Sequence, residues 1–369
     1  MSTLIMRIHY SSISFLRNVY RLPLISCTIL NIPDSGYLPY SGRKISYFRT
    51  RQKLLTFNFK FHLQRNLIKM PTASSNILSG KDVSLDIQKQ LQEEVKLLKE
   101  EHPNFEPVLA IVQVGAREDS NVYIRMKKKV ASEVGVTTKH VQLPRTLSEN
   151  EILSEVQKLN DDPKIHGIIV QLPLDTDSPV DAKRITNAVS PSKDVDGICD
   201  ENAGRLSHGE LEGYFIACTP LGCLELIKRT GVPIKGSKAV VIGRSKIVGL
   251  PAALLLLWHH ATVTICHSRT QDLRSVVKDA DIIVAAVGQA QMVKKDWVKP
   301  GAVVIDCGIN SIKDETKKSG YRLVGDVDYD EVKEVASWIT PVPGGVGPMT
   351  VIMLIKNTVY AAKQAAEKL

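Results

Sequence analysis

The chain has 369 residues, yet it lacks any apolar run approaching the roughly 18–20 residues needed to cross a bilayer. Its longest such stretch, Leu250 to Trp258, is too short and is followed by His259 and His260, so no membrane partner is expected. Cysteines at metal or redox spacing are also missing. Cys27, Cys199, Cys218, Cys223, Cys266 and Cys307 form no C-x-x-C pair, and no histidine completes a zinc spacing. No metal site is expected. Six cysteines over this length need no disulfide framework, and Cys266 and Cys307 lie in apolar runs, where a thiol behaves as a small hydrophobe. A reducing compartment, cytosol or mitochondrial matrix, suits such a set.

Acidic residues are nearly absent from positions 1–69, which hold eleven Lys and Arg against Asp34 alone. The formal net charge of +9 therefore belongs to this extension. Residues 70–369 hold 37 basic and 38 acidic side chains and are close to neutral. Binding to a phosphate backbone needs cations clustered on a folded body, so no nucleic-acid partner is expected. The extension is rich in Arg, Ser, Leu and Ile, a composition that suits a mitochondrial transit peptide. Met70 is an alternative cytosolic start, so localisation is read as cytoplasmic or mitochondrial. In either case residues 1–69 are expected to lie outside the fold and to be poorly ordered.

From Gly80 onward the pattern alternates. Val83, Ile87, Leu91, Val95 and Leu98 recur at helical spacing over 82–101. Val108 to Val114 is a continuous β-type run, the mark of a parallel strand buried on both faces. A helix over 120–134 ending at Gly135, a strand near 140–143, a helix over 148–159 and a strand over 165–172 follow. Ser148 with Glu151 has capping-box spacing. Further on, strands are expected at 238–242, 261–266, 281–287 and 302–306, and a closing helix over 350–368. Alternation of this kind implies parallel βαβ units. The fold class is α/β, with two α/β domains, the second Rossmann-like and the closing helix returning to the first.

Several short stretches carry candidate chemistry. Gly243-Arg244-Ser245-Lys246-Ile247-Val248-Gly249 joins a strand to a helix, where small residues and helix N–H groups let a pyrophosphate approach. A tight turn with no ligand is the plainer reading, because this is not G-x-G-x-x-G. The next strand ends in His267-Ser268-Arg269-Thr270, without the acid that reads a ribose 2′-OH. Arg244 and Arg269 with Ser268 suit a 2′-phosphate, which favours NADP and leaves NAD open. Tyr123 and Lys127 share one helix face, and partial desolvation there lowers a lysine pKa. Against this, Lys127-Lys128-Lys129 also reads as a solvated charge run. Gln171 ends a strand, where α/β sheets bind ligands, or simply caps it. Asp194 and Asp196 place two carboxylates before Gly197: one for an amino-pyrimidine, or an Asx turn. Pro341 to Thr350 sets three glycines among three prolines, a backbone-exposing loop or an interdomain hinge.

Taken together, the stretches 120–127, 170–174, 193–197, 243–249 and 341–350 resemble the methylenetetrahydrofolate dehydrogenase/cyclohydrolase family, in order, over about residues 76–368. Ile247 and the run 251–255 look most like the dehydrogenase/cyclohydrolase part of eukaryotic C1-tetrahydrofolate synthase. The formate-ligase domain of those proteins has no counterpart in the chain, and ligase activity is not implied.

The resemblance implies a folate-binding catalytic domain over 70–218 plus 348–369 and an NADP-binding domain over 219–347. It implies Lys127 as the key catalytic residue, Tyr123 to position the folate, Gln171 to tune Lys127 and Asp196 to anchor the pterin. Val170, Leu172, Pro343, Gly344, Gly345, Val346 and Gly347 would line the folate site, and Gly243, Arg244, Ser245, Ser268, Arg269 and Ile309 the cofactor site. Tetrahydrofolate derivatives are the expected ligands and a homodimer the expected assembly. Rival readings are another two-domain NADP-dependent dehydrogenase, such as a shikimate-type enzyme, and a non-catalytic folate- or nucleotide-binding subunit.

Overall fold

A computed structural model describes residues 76–317 and 320–367. The basic extension 1–69, with the expectations placed on it, lies outside the described residues.

The first half runs α1 (Gly80–Glu101), β1 (Val108–Val114), α2 (Glu118–Val134), β2 (Thr137–Leu143), α3 (Glu149–Asp161), β3 (Gly167–Val170), α4 (Ala182–Asn187), α5 (Asp200–Ser207) and α6 (Cys218–Arg229). The second half runs β4 (Lys238–Ile242), α7 (Gly249–Trp258), β5 (Thr262–Cys266), α8 (Leu273–Val277), β6 (Ile282–Ala285), β7 (Val303–Asp306), β8 (Asn310–Lys313), β9 (Tyr321–Val324), α9 (Tyr329–Val332) and β10 (Trp338–Ile339). The long helix α10 (Val346–Ala366) closes the chain.

Two parallel sheets result. One has the order β2-β1-β3, the other β10-β7-β6-β4-β5. The inner strands are mostly apolar because helices cover both faces, with Gln113 and Asp306 as buried polar exceptions. Six of the seven residues of β1, and all of β3, β6 and β7, are buried. The edge strands β2 and β5 are mostly open and carry polar residues such as Thr137, Lys139, Thr262 and Thr264. Helix α10 packs against α6, α1 and α2 and reaches β3 and β1, so the closing helix returns to the first half as expected.

Local chemistry sets the helix ends. Gly135 takes φ 92 after α2, a left-handed position that suits glycine. The Ser148 side chain accepts from the Glu151 N–H, while Glu151 accepts from the Ser148 N–H at 2.7 Å, the reciprocal cap expected of that spacing.

Some bounds differ from the sequence expectation. Strand β2 starts at Thr137, three residues early, because an edge strand tolerates exposed polar residues. Helix α10 starts at Val346 rather than Thr350. Pro348 sits in its first turn, where backbone N–H groups have no intrahelical partner and a missing one costs little. Val346 and Gly347 are therefore helical, not loop.

Replacing Ser148 by Ala removes one half of the reciprocal cap. The expected loss is about 1 kcal/mol, read as a lower urea midpoint with an unchanged slope.

Candidate active site

Lysine 127 lies on the apolar stripe of α2, with Ser120, Ile124, Ala131 and Val134. It is 9% exposed, whereas Lys128 and Lys129 on either flank of that stripe face solvent. The triple-lysine run is therefore not uniformly a solvated face. The Lys127 ammonium donates to Gln171 Oε1 at 2.9 Å. Gln171 follows β3, and its amide donates to the Leu172 carbonyl at 2.8 Å, which turns Oε1 toward the lysine.

The two aspartates divide their roles. Asp194 Oδ1 accepts from the Gly197 N–H at 3.1 Å, and Oδ2 accepts from the Cys199 N–H at 2.9 Å and Asn202 Nδ2 at 3.0 Å. This carboxylate shapes the turn. Burial pushes it up to about 6. Asp196 is left facing the lysine. A parallel bridge of Asp194 to Ile168 lays the loop beside β3 and so brings Asp196 to the end of that strand. From α10, Asn357 donates to the Val195 carbonyl at 2.9 Å and clamps the same loop.

A cleft of about 180 Å³ opens over these groups. Lys127, Val170, Gln171, Leu172 and Asp196 line it, and so do Ile247 and Val248 of the nucleotide turn. The reaction groups and that turn thus share one space. Burial holds the Lys127 amine below the ordinary lysine value of 10.5, while the Asp196 carboxylate and the Cys218 sulfur pull the other way. Enclosure raises the Asp196 carboxyl above its usual range, with the lysine charge opposing.

Not every candidate comes to this cleft. Tyr123, one turn before Lys127, is 41% exposed and is not among the lining residues. Pro343, Gly344, Gly345, Val346 and Gly347 do not line it either. The Gly344 carbonyl accepts from the Lys81 N–H at 3.0 Å, and Val346 is buried in the core. Thr350, one turn further along α10, does line the cleft and meets Thr219 at 2.9 Å between hydroxyls. Cys218, Thr219 and Ile198 are lining residues the sequence did not single out. The only available signal was Cys218 opening a helix shortly after the aspartate loop.

The nucleotide turn is sterically tight. Gly243 has φ 117, and a Cβ there would meet the Ala286 carbonyl oxygen at 2.1 Å. A Cβ on Gly249 would meet the Gly243 oxygen at 2.3 Å. Ser245 Oγ accepts from the Val248 and Gly249 N–H groups, both at 3.2 Å, and so caps α7. Arg244, Ser268 and Arg269 are exposed at the carboxyl ends of β4 and β5, two adjacent strands. Neither guanidinium has an acidic partner among the described residues. Ile309 is exposed in the turn that follows β7. These groups can hold an anionic nucleotide, and no acid stands where a free ribose hydroxyl is read.

Gly243→Ala is expected to lower stability by about 1–3 kcal/mol through the left-handed φ and the carbonyl clash. Gly204→Ala, in α5 with open space around it, is expected to raise stability by about 0.5–1 kcal/mol. Urea unfolding of both variants checks the contrast.

Residues 78–196 match the family model "Tetrahydrofolate dehydrogenase/cyclohydrolase, catalytic domain", and residues 217–366 match "Tetrahydrofolate dehydrogenase/cyclohydrolase, NAD(P)-binding domain". A cytoplasmic C-1-tetrahydrofolate synthase of Drosophila melanogaster is 58% identical over 302 residues, which is 82% of this chain and 31% of that protein. The chain thus spans about a third of the length of such relatives. Bifunctional protein FolD 2 of Arabidopsis thaliana is 51% identical over 79% of this chain and 96% of its own length. Among solved structures, the Trypanosoma brucei N5,N10-methylenetetrahydrofolate dehydrogenase-cyclohydrolase, described as complexed with NADP cofactor and inhibitor, superposes with a TM-score of 0.75. It is 40% identical and covers 79% of this chain and 99% of its own. The buried lysine, its glutamine and aspartate partners and the adjoining nucleotide turn are thus set in a fold and a sequence shared along nearly the full length of these bifunctional relatives: the chain belongs to the tetrahydrofolate dehydrogenase/cyclohydrolase family.

Proposed function

We infer that the protein oxidises 5,10-methylenetetrahydrofolate to the 5,10-methenyl form with NADP and then hydrolyses that product to 10-formyltetrahydrofolate. The observation that carries this reading is the single cleft in which buried Lys127, bonded to Gln171 and faced by Asp196, adjoins the nucleotide turn. NADP, when bound, supplies the hydride acceptor. Arg244, Arg269 and Ser268 suit its 2′-phosphate, and Gly243 and Ser245 shape the turn that receives the pyrophosphate, with Ile309 beside it. Oxidation asks the chain mainly for orientation, since the one-carbon bridge loses a hydride and needs no proton from the protein.

Hydrolysis is different. Water attacks the methenyl carbon and gives up both its protons in becoming the formyl oxygen; the ring nitrogen that departs gains one and the other is released to solvent. Lys127, whose hold on its proton is weakened by burial, takes the first proton and returns one to the nitrogen. Gln171 fixes where its amine points. Asp196 anchors the pterin amino group and balances the charge of the protonated amine. Tyr123, on the exposed side of the same helix, closes over the folate, and Val170, Leu172 and the Pro343 to Gly347 segment flank it. The catalytic unit comprises 70–218 with 348–369, and the cofactor unit 219–347.

A homodimer fits the open backbone of edge strand β5, flanked by exposed Leu250, Leu257, Trp258 and Ile265. Among the described residues no helix is long and apolar enough to cross a membrane.

Purified chain is expected to reduce NADP with methylenetetrahydrofolate, and the methenyl product to decay faster than in buffer. Lys127→Met is expected to slow hydrolysis by about a hundredfold or more while NADP still binds. Turnover with NAD alone would overturn the cofactor assignment. Binding of both ligands without any turnover would leave a binding subunit as the better reading.

A further inference from the structure

Two buried carboxylates lie outside the chemistry described so far. Asp306, 3% exposed, ends β7, and Asp326, fully buried, follows β9. Neither has a cationic partner among the described residues. Their charge is met by N–H groups instead. Asp306 Oδ1 accepts from the Gly308 and Asp326 N–H groups, both at 2.9 Å, and Oδ2 accepts from the Val327 N–H at 2.9 Å. Asp326 Oδ2 accepts from the Val287 N–H at 2.6 Å and the Gly288 N–H at 3.0 Å. Its Oδ1 accepts from the Gln289 N–H and from Asn310 Nδ2, both at 2.9 Å. The approach is close enough to demand glycine on both sides. A Cβ on Gly308 would meet Asp326 Oδ1 at 2.3 Å, and one on Gly325 would meet Asp306 Oδ2 at 1.8 Å.

The loop that Asp326 gathers is placed to matter. It follows β6, the neighbour of β4 on the side away from β5. Winding starts at β4, goes to β5 on one side and then to β6 on the other, so the crevice of this sheet lies between the loops after β4 and β6. The first of those loops is the nucleotide turn. It rests on the second through Gly243, over the Ala286 carbonyl. Three successive N–H groups of that loop, from Val287 to Gln289, are drawn to the one Asp326 carboxylate.

We propose that Asp326 is a positioning residue for the nicotinamide cofactor: its buried carboxylate, seated by Asp306, holds the 287–289 loop as one wall of the NADP crevice. The inference rests on the NADP-dependent reading above. It has a consequence a general structural role lacks. Oxidation needs the cofactor crevice, whereas hydrolysis draws on Lys127, Gln171 and Asp196, none of which contacts Asp326. Loss of the carboxylate should therefore separate the two activities.

The test is Asp326→Asn in the full chain, a near-isosteric change that sets an NH2 group against backbone N–H donors. NADP affinity, followed by calorimetric titration and as KM, is expected to weaken about tenfold or more. The hydrolysis rate at saturating methenyltetrahydrofolate is expected to stay within about twofold, since no bond to its machinery is lost. Unchanged NADP affinity would overturn the proposal, and so would a parallel fall in both activities. Should Asp326→Asn not fold, Asn310→Ala removes one donor to the same carboxylate. It is expected to weaken NADP by about two- to fivefold with hydrolysis intact, and no change there overturns the proposal equally. Because calorimetry reads binding without turnover, a wild-type chain that binds NADP but oxidises nothing would count against the proposed reaction and not against Asp326.

Discussion

A lysine amine taken out of water must find compensation or give up its proton. In this fold Lys127 is buried on the core-facing stripe of α2, with one amide oxygen and one carboxylate within its reach. The compensation is partial, and the amine is held below its ordinary range. Much of the surrounding architecture serves to sustain that condition. Strand β3 delivers Gln171, the loop bridged to Ile168 delivers Asp196, and Asn357 of the closing helix clamps the loop from behind. A single polar environment thus depends on α2 and the closing helix α10 together.

The second half contributes by contrast a tightly packed crevice at the strand ends. Gly243 and Gly249 let two loops and a helix end come within van der Waals distance, and Ser245 caps that helix. Arg244 and Arg269 remain free of acidic partners among the described residues, at the ends of adjacent strands. The buried carboxylates Asp306 and Asp326 use only N–H donors, so the walls of the crevice are ordered without adding positive charge there. In the proposed reaction one half manages a proton and the other orients a nucleotide. The two meet where Ile247 and Val248 enter the lining of the lysine cleft.

What could be read from the residues follows from how strongly each environment writes itself into local pattern. Val108 to Val114 is legible as a central strand because burial on both faces forces a run that is apolar at every position but Gln113. Ser148 and Glu151 are legible because their bonds are local. Thr137 was missed at an edge, where no pattern is imposed. Val346 and Gly347 looked like loop, because glycine and proline mark turns unless they fall in a first helical turn. Lys127 stood in a charge run, although Ile124, Ala131 and Val134 at helical spacing already put it on the buried stripe. Cys218 carries only the weak signal of opening a helix, and Asp326 carries none. Their partners lie far along the chain, and only the folded sheet brings them together.

The central claim is that burial weakens the hold of the Lys127 amine on its proton against the pull of Asp196. An NMR titration of the 13Cε resonance of Lys127, assigned by its loss in Lys127→Met, measures this directly. The account predicts a midpoint below 10.5 in the wild type. In Asp196→Asn it predicts a lower midpoint still, since removing a nearby negative charge disfavours the ammonium form. A midpoint at or above 10.5, or one that rises in the variant, would contradict it.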